Sequence, residues 1–112
     1  MQNVEENHTY MRIISETKLK KACEKHSDAE SSIQGWKKLV KEQDWKSFSE
    51  IKATSVFAPD LVKNFVIFDV GGNKYRLITC INYKTKVIYI RDFLTHAEYD
   101  RDKWKDDEWF NS

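Results

Sequence analysis

The sequence predicts an α+β fold: a small antiparallel β-sheet with a mixed edge, packed against two N-terminal helices. Three observations predict it. The run Asn64 to Val70 is apolar, β-branched and aromatic, and Gly71-Gly72-Asn73 behind it supplies the positive φ angles with which a chain reverses between antiparallel strands. The run Lys74 to Tyr83 then alternates with a period of two. Upstream, Ala29, Ile33, Trp36 and Val40 recur at helical spacing.

Met11 to Ile14 reads as a short first strand, and the polar residues 1–10 before it as a disordered extension. Ser15 is a candidate N-cap for a first helix with Leu19, Ala22 and Cys23 on one stripe and Lys18, Lys20, Lys21 and Lys25 around it. Ser27 or Asp28 is placed to cap the second helix, whose apolar stripe makes Trp36 a core residue. Ser47 and Glu50 stand at capping-box spacing before Ile51, so a short third helix is expected, leading to Pro59. Three strands follow. In Lys74 to Tyr83 the alternation assigns Lys74, Arg76, Ile78, Cys80 and Asn82 to one face and Tyr75, Leu77, Thr79, Ile81 and Tyr83 to the other. A turn at Lys84-Thr85-Lys86 leads into Val87 to Asp92, with Val87, Tyr89 and Arg91 on one side. The three strands form a meander, and two helices on one face of it are the natural packing.

Composition bounds the rest. A chain of 112 residues, 40% hydrophobic and 13% aromatic, builds one compact domain. No segment approaches the about 20 apolar residues of a membrane span, and the polar, acidic start is unlike a signal peptide, so a cytoplasmic protein is expected. Cys23 and Cys80 lack the spacing of a disulfide framework or zinc site and read as reduced, buried thiols. The net charge of +1 conceals an asymmetry: residues 98–112 carry six acids against three bases, and residues 12–97 sixteen bases against ten acids. A basic body between acidic ends permits a local phosphate-binding surface, although lysine-rich helices are most often simply solvated.

Several blocks, taken together, resemble one family: MRIIS, Trp36 in the second helix, DWKSFSEIKAT, GGNKYRLI, VIYIR and THAEYD, in this order from Met11 to about Trp104. They resemble the HigB family of RelE-like toxins, the ribosome-dependent mRNA interferases of bacterial type II toxin–antitoxin pairs. The resemblance implies a RelE-like fold, with a single toxin domain over residues 11–104 and an acidic C-terminal tail over 105–112. It also implies three partners: a HigA-like helix-turn-helix antitoxin, mRNA, and the A site of the ribosome. Operator DNA would be met only through the antitoxin, and no membrane is involved.

RNA cleavage requires that the ribose 2′-OH be deprotonated, that extra negative charge on the phosphate be held, and that the departing 5′-oxygen gain a proton. Neither metal nor cofactor is needed. The resemblance carries an arginine of the block YRLI over to Arg76, whose planar fork of donors suits phosphate charge stabilisation; a strand-face salt bridge with Asp69 is its other reading. THAEYD falls where RelE-like toxins keep a basic residue followed by a tyrosine, which makes His96 the expected proton carrier, foremost as general acid. Tyr99 would orient or activate the 2′-OH or stack on a base. The plainer readings are a surface or capping role for His96 and packing against the sheet end for Tyr99. Arg91 is either a phosphate ligand or an anchor for an acid such as Asp100. Lys52 and Lys74 are further RNA-binding candidates. RelE-like toxins often place lysines on the strand before the arginine strand, whereas here that strand reads FVIFDV; the general base is therefore open among Lys52, Lys74, Tyr99 and His96. Trp104, Trp109 and Phe110 either fold back onto the sheet or meet the antitoxin. A non-catalytic RNA- or protein-binding module that keeps the fold is the alternative to the enzyme.

Overall fold

The computed structural model describes residues 10–110; the extension expected at residues 1–10 lies, Tyr10 apart, outside the described residues. The elements are β1 (Arg12–Ile14), α1 (Glu16–Lys25), α2 (Glu30–Lys41), α3 (Phe48–Thr54), β2 (Asp60–Val62), β3 (Phe65–Val70), β4 (Tyr75–Asn82), β5 (Val87–Thr95) and α4 (His96–Asp100), with 3₁₀ turns at Ser27–Ala29 and Lys103–Asp106. This is the expected α+β architecture. The sheet has five strands in the order β1-β5-β4-β3-β2. The meander forms its centre, β2 adds an antiparallel edge, and β1 pairs in parallel with the first residues of β5, Arg12 opposite Val87 and Ile14 opposite Tyr89.

The sheet is covered on both faces, which explains why β3 reads as a continuous apolar run instead of alternating. One face packs on the helices: Leu19, Ile33, Trp36, Val40 and Ile51 meet Phe68, Leu77, Ile88 and Ile90 in one core. The Trp36 ring sits edge-on to Phe68 at 5.4 Å, and Trp45, whose indole N–H donates to Thr54 at 2.8 Å, stacks on the same phenyl ring. The other face packs on the C-terminal segment, where Phe65, Ile67 and Ile78 meet Trp104 and Phe110. Trp104 lies parallel to Phe65 with ring centres 6.3 Å apart, and Phe110 stands edge-on to both. These tail aromatics therefore fold back, the first of the two readings above.

Helix starts depart from expectation. Ser15 takes a left-handed conformation (φ 73°) without capping α1. Neither Ser27 nor Asp28 caps α2: both lie in the 3₁₀ turn that precedes it, and Ala29 occupies the cap position. At α3, Ser47 does accept from the Glu50 N–H, but the Glu50 carboxylate reaches back to the N–H of Lys46, one residue short of a reciprocal box. Strand β5 runs three residues beyond Asp92, because its pairing with β4 continues through Thr95 opposite Tyr75. No helix among the described residues is long and apolar enough to cross a membrane.

Candidate active site

The hairpin β3–β4 fixes Arg76. Gly71 and Gly72, at φ 68° and 67°, make the left-handed reversal that brings Val70 opposite Tyr75 and Asp69 opposite Arg76. The Arg76 Nε then lies 3.2 Å from Asp69 Oδ1. One Nη donates to the carbonyls of Asn73 and Tyr75, at 3.2 and 3.1 Å, and the other to the Asn73 side-chain oxygen at 2.7 Å. A guanidinium carries five N–H groups; these four contacts leave one Nη N–H uncommitted. The side chain is only 8% exposed, and its Cζ stands 5.6 Å from the centre of the Tyr99 ring. The Asp69 pair considered from sequence is thus formed. It orients the arginine and leaves one Nη N–H unused.

His96 and Tyr99 are placed by α4. Thr95 caps this helix in a reciprocal box, its hydroxyl accepting from Glu98 N–H and the Glu98 carboxylate from Thr95 N–H. The His96 N–H donates to the Lys74 carbonyl at 2.9 Å, which ties the helix start to the turn that leads into Arg76. The imidazole is 46% exposed, with Nε2 3.7 Å from Asp100 Oδ2. Tyr99 follows one turn later, on the same side of the helix as His96. Its ring stacks on Trp104 at 5.2 Å, and the Trp104 indole N–H donates to the Tyr99 carbonyl. Burial raises the Tyr99 phenol above its ordinary range, so the hydroxyl is protonated at neutral pH. Arg76 and Tyr99 thus meet where β4 begins and β5 ends, and His96 starts the helix that carries Tyr99, its imidazole beside Asp100.

The other three candidates are not brought into this group. Lys74 lies in the turn before β4, outside the alternation, and its ammonium points to the helix layer. There it donates to Asp28 at 2.7 Å, beside the Tyr75 hydroxyl, which donates to the other oxygen of the same carboxylate. Lys74 therefore does not share the face of Arg76, contrary to the strand pattern. The Asp28 hydrogen bond also raises the Lys74 ammonium above its usual range, so this lysine keeps its proton. Arg91 is clamped by Asp107 rather than Asp100, through Nε and Nη2 at 2.8 Å each, and lies 3.7 Å from the centre of the Trp109 ring. A register shift in β5 falls at this residue. Ile78 pairs with Asp92 and Thr79 with Ile90, so Arg91 is the extra, bulged residue; it keeps the side of Tyr89, both side chains meeting Trp109, and the alternation changes phase only after it. Lys52 is exposed in the last turn of α3.

Three supporting residues escaped the sequence reading. Asn73 was legible as a turn residue, but its grip on Arg76 depends on a rotamer. Asp28 holds Lys74 and Tyr75 from nearly fifty positions away, with no local signal. His26, outside any matching block, packs against Tyr75 and Phe93 with ring centres 4.9 and 6.2 Å apart. Among the described residues no cluster of three or more His, Cys, Asp or Glu side chains could hold a metal. Cys23 and Cys80 are free thiols, pushed up by burial.

Comparison with known proteins gives a consistent answer. The family model described as HigB_toxin, RelE-like toxic component of a toxin-antitoxin system, matches residues 29–102. The chain is 29% identical over 97 residues to a protein named mRNA interferase HigB from Escherichia coli O6:H1, a match that spans 81% of this chain and 90% of the relative. It is 27% identical over 92 residues to the mRNA interferase toxin HigB of Escherichia coli K12, and equally to the mRNA interferase HigB of Shigella flexneri, covering 80% of this chain and 88% of each relative.

Proposed function

Since the chain belongs to the HigB family of RelE-like toxins, the toxic components of toxin–antitoxin systems, we propose that it arrests growth as a ribosome-dependent mRNA interferase. It is an endoribonuclease, its substrate is RNA, and its partner is an antitoxin. In the finer reading it enters the ribosomal A site in the cytoplasm, cuts translated message, and is silenced by a HigA-like helix-turn-helix protein through which alone it meets operator DNA.

The observation that supports the catalytic reading is the contact of Arg76 with Tyr99 at the end of the sheet from which α4, opening with His96, departs. Arg76 arrives pre-oriented by Asp69 and Asn73 with one N–H to spare. A fixed guanidinium of this kind is suited to the charge that builds on a phosphate attacked by its neighbouring 2′-OH. The guanidinium lies over the Tyr99 ring, and the protonated phenol serves to orient the 2′-OH. Neither Lys74, fully charged against Asp28, nor Tyr99, with its raised phenol, can accept a proton readily at neutral pH. His96, half exposed at the start of α4, is the proton carrier in this reading. Arg91 holds the C-terminal segment in place, and Lys52 is left as an outlying RNA contact.

Induction of the chain in a bacterial host tests this reading. Growth arrest with new 5′ ends inside coding regions, both relieved by co-expression of a cognate antitoxin, is the expected result. Normal growth with intact messages would favour a binding module that keeps the fold without the chemistry.

A further inference from the structure

Strand β1 covers only the first part of β5, as far as Tyr89. Beyond that point α1 runs along the edge of β5, and the Lys18 ammonium donates to the Arg91 carbonyl at 3.1 Å. The two elements leave a groove between them, walled on the α1 side by Lys18, Lys21, Lys25 and His26 and on the β5 side by Asp92 and Phe93. The three lysines stand three and four residues apart, on one face of the helix, with successive rises of about 4.5 and 6 Å. Two aromatic rings, His26 and Phe93, lie among them, 6.2 Å apart. The far end of the groove points toward the start of α4. His26 packs on Tyr75, which pairs with Thr95, the residue before His96, and Lys25 is near enough to Glu98 of α4 to help hold that carboxyl low.

We propose that this groove between α1 and β5 holds the phosphodiester backbone of single-stranded RNA beside the cut, with the lysines tracking phosphates and Phe93 offering a face for a base. The proposal rests on the interferase reading and gives it a substrate path. A solvated lysine face needs no groove and no aromatic floor, whereas cations alternating with ring faces are the combination that binds single strands irrespective of sequence. One anion, Asp92, lines the groove near Lys18, and a second, Glu98, lies outside it within the field of Lys25. They confine the phosphates to the stretch between them, from Lys21 to Lys25.

The test is binding of a labelled single-stranded RNA made uncleavable by 2′-O-methyl groups, followed by fluorescence anisotropy across a salt series. Lys21→Gln/Lys25→Gln is compared with Lys20→Gln/Lys38→Gln, which removes the same charge elsewhere: Lys20 lines the opposite groove between α1 and α2, and Lys38 is exposed on α2. Glutamine keeps helix propensity, and all four positions are exposed, so both variants fold. The expected result is a loss of about tenfold or more in affinity for the first variant only, with a salt slope shallower by about 1.4, two phosphates' worth. Equal affinities of the two variants would overturn the groove, as would a defect of the first variant in antitoxin binding alone. Message cleavage by the wild type, measured alongside, separates the two readings. A wild type that cuts while the first variant binds RNA normally removes only the groove. A wild type that binds through the groove without cutting removes only the enzyme, and a wild type that does neither removes both.

Discussion

Asp107 grips Arg91 through both carboxylate oxygens at 2.8 Å while one of those oxygens also accepts the Trp109 backbone N–H at 2.8 Å. A single carboxylate thus fastens the tail to the bulge in β5, with the Trp109 ring laid against the guanidinium. The pair is mostly shielded, the two side chains being 20% and 16% exposed, so breaking it from one side strands a charge.

Asp107→Asn should therefore cost about 1–3 kcal/mol in denaturant unfolding at pH 7. The hydrogen bonds from Arg91 hold the Asp107 carboxyl below the usual carboxylate range. A group whose folded pKa is depressed stabilises the fold above its unfolded pKa and ceases to do so as pH falls toward the folded value. The gap between wild type and Asp107→Asn should accordingly be widest at neutral pH and close below about pH 4. A gap that stays constant with pH would show that the aspartate acts by packing alone.

Arg76→Lys keeps the charge and loses the fork. One ammonium cannot reach Asp69, both oxygens of Asn73 and a phosphate together, so cleavage should fall by on the order of a hundredfold. Circular dichroism should show the fold intact. Cleavage within a few-fold of wild type would mean that charge at this position suffices and that the preset geometry does not matter.

Tyr99→Phe separates hydroxyl from ring. The ring stack on Trp104 survives this change, so thermal stability should hold while cleavage drops by about ten- to a hundredfold. Tyr99→Ala should lose stability as well, because Trp104 is left without its stacking partner. Equal cleavage by wild type and Tyr99→Phe would restrict Tyr99 to packing.

The Thr95 cap positions His96 without touching substrate. Thr95→Ala removes the acceptor for Glu98 N–H and should cost about 1 kcal/mol of stability. Cleavage should fall further than the unfolded fraction accounts for, with Thr95→Ser restoring it. A loss of stability with unchanged specific activity would detach the cap from the chemistry.

How much of this was legible in the sequence depended on whether the signal was local. The α2 stripe, the Gly71-Gly72 reversal and the meander are properties of adjacent residues, and all three are found. The site was legible as residues rather than as contacts. Arg76, His96 and Tyr99 come from short blocks, but the meeting of Arg76 with Tyr99 depends on β5 extending to Thr95, which its alternation up to Asp92 did not foretell. Lys74 was misassigned because strand alternation was extended one residue into a turn, where the backbone no longer enforces a period of two. Arg91 keeps the side that the alternation assigns it, but its partner Asp107 lies 16 residues on in a tail whose fold-back has no local signal. Strand β2 is three residues long and borrows its pairing from β3, so it carries no pattern of its own.

The most direct test of the central claim is to map message ends in a reconstituted translation reaction with the wild type, Arg76→Ala and His96→Ala, each confirmed to be folded. The account predicts cuts at ribosome-occupied codons by the wild type, reduced by about a hundredfold or more in both variants. Undiminished cutting by both variants would contradict the site, and an uncut message with folded wild-type protein would contradict the interferase itself.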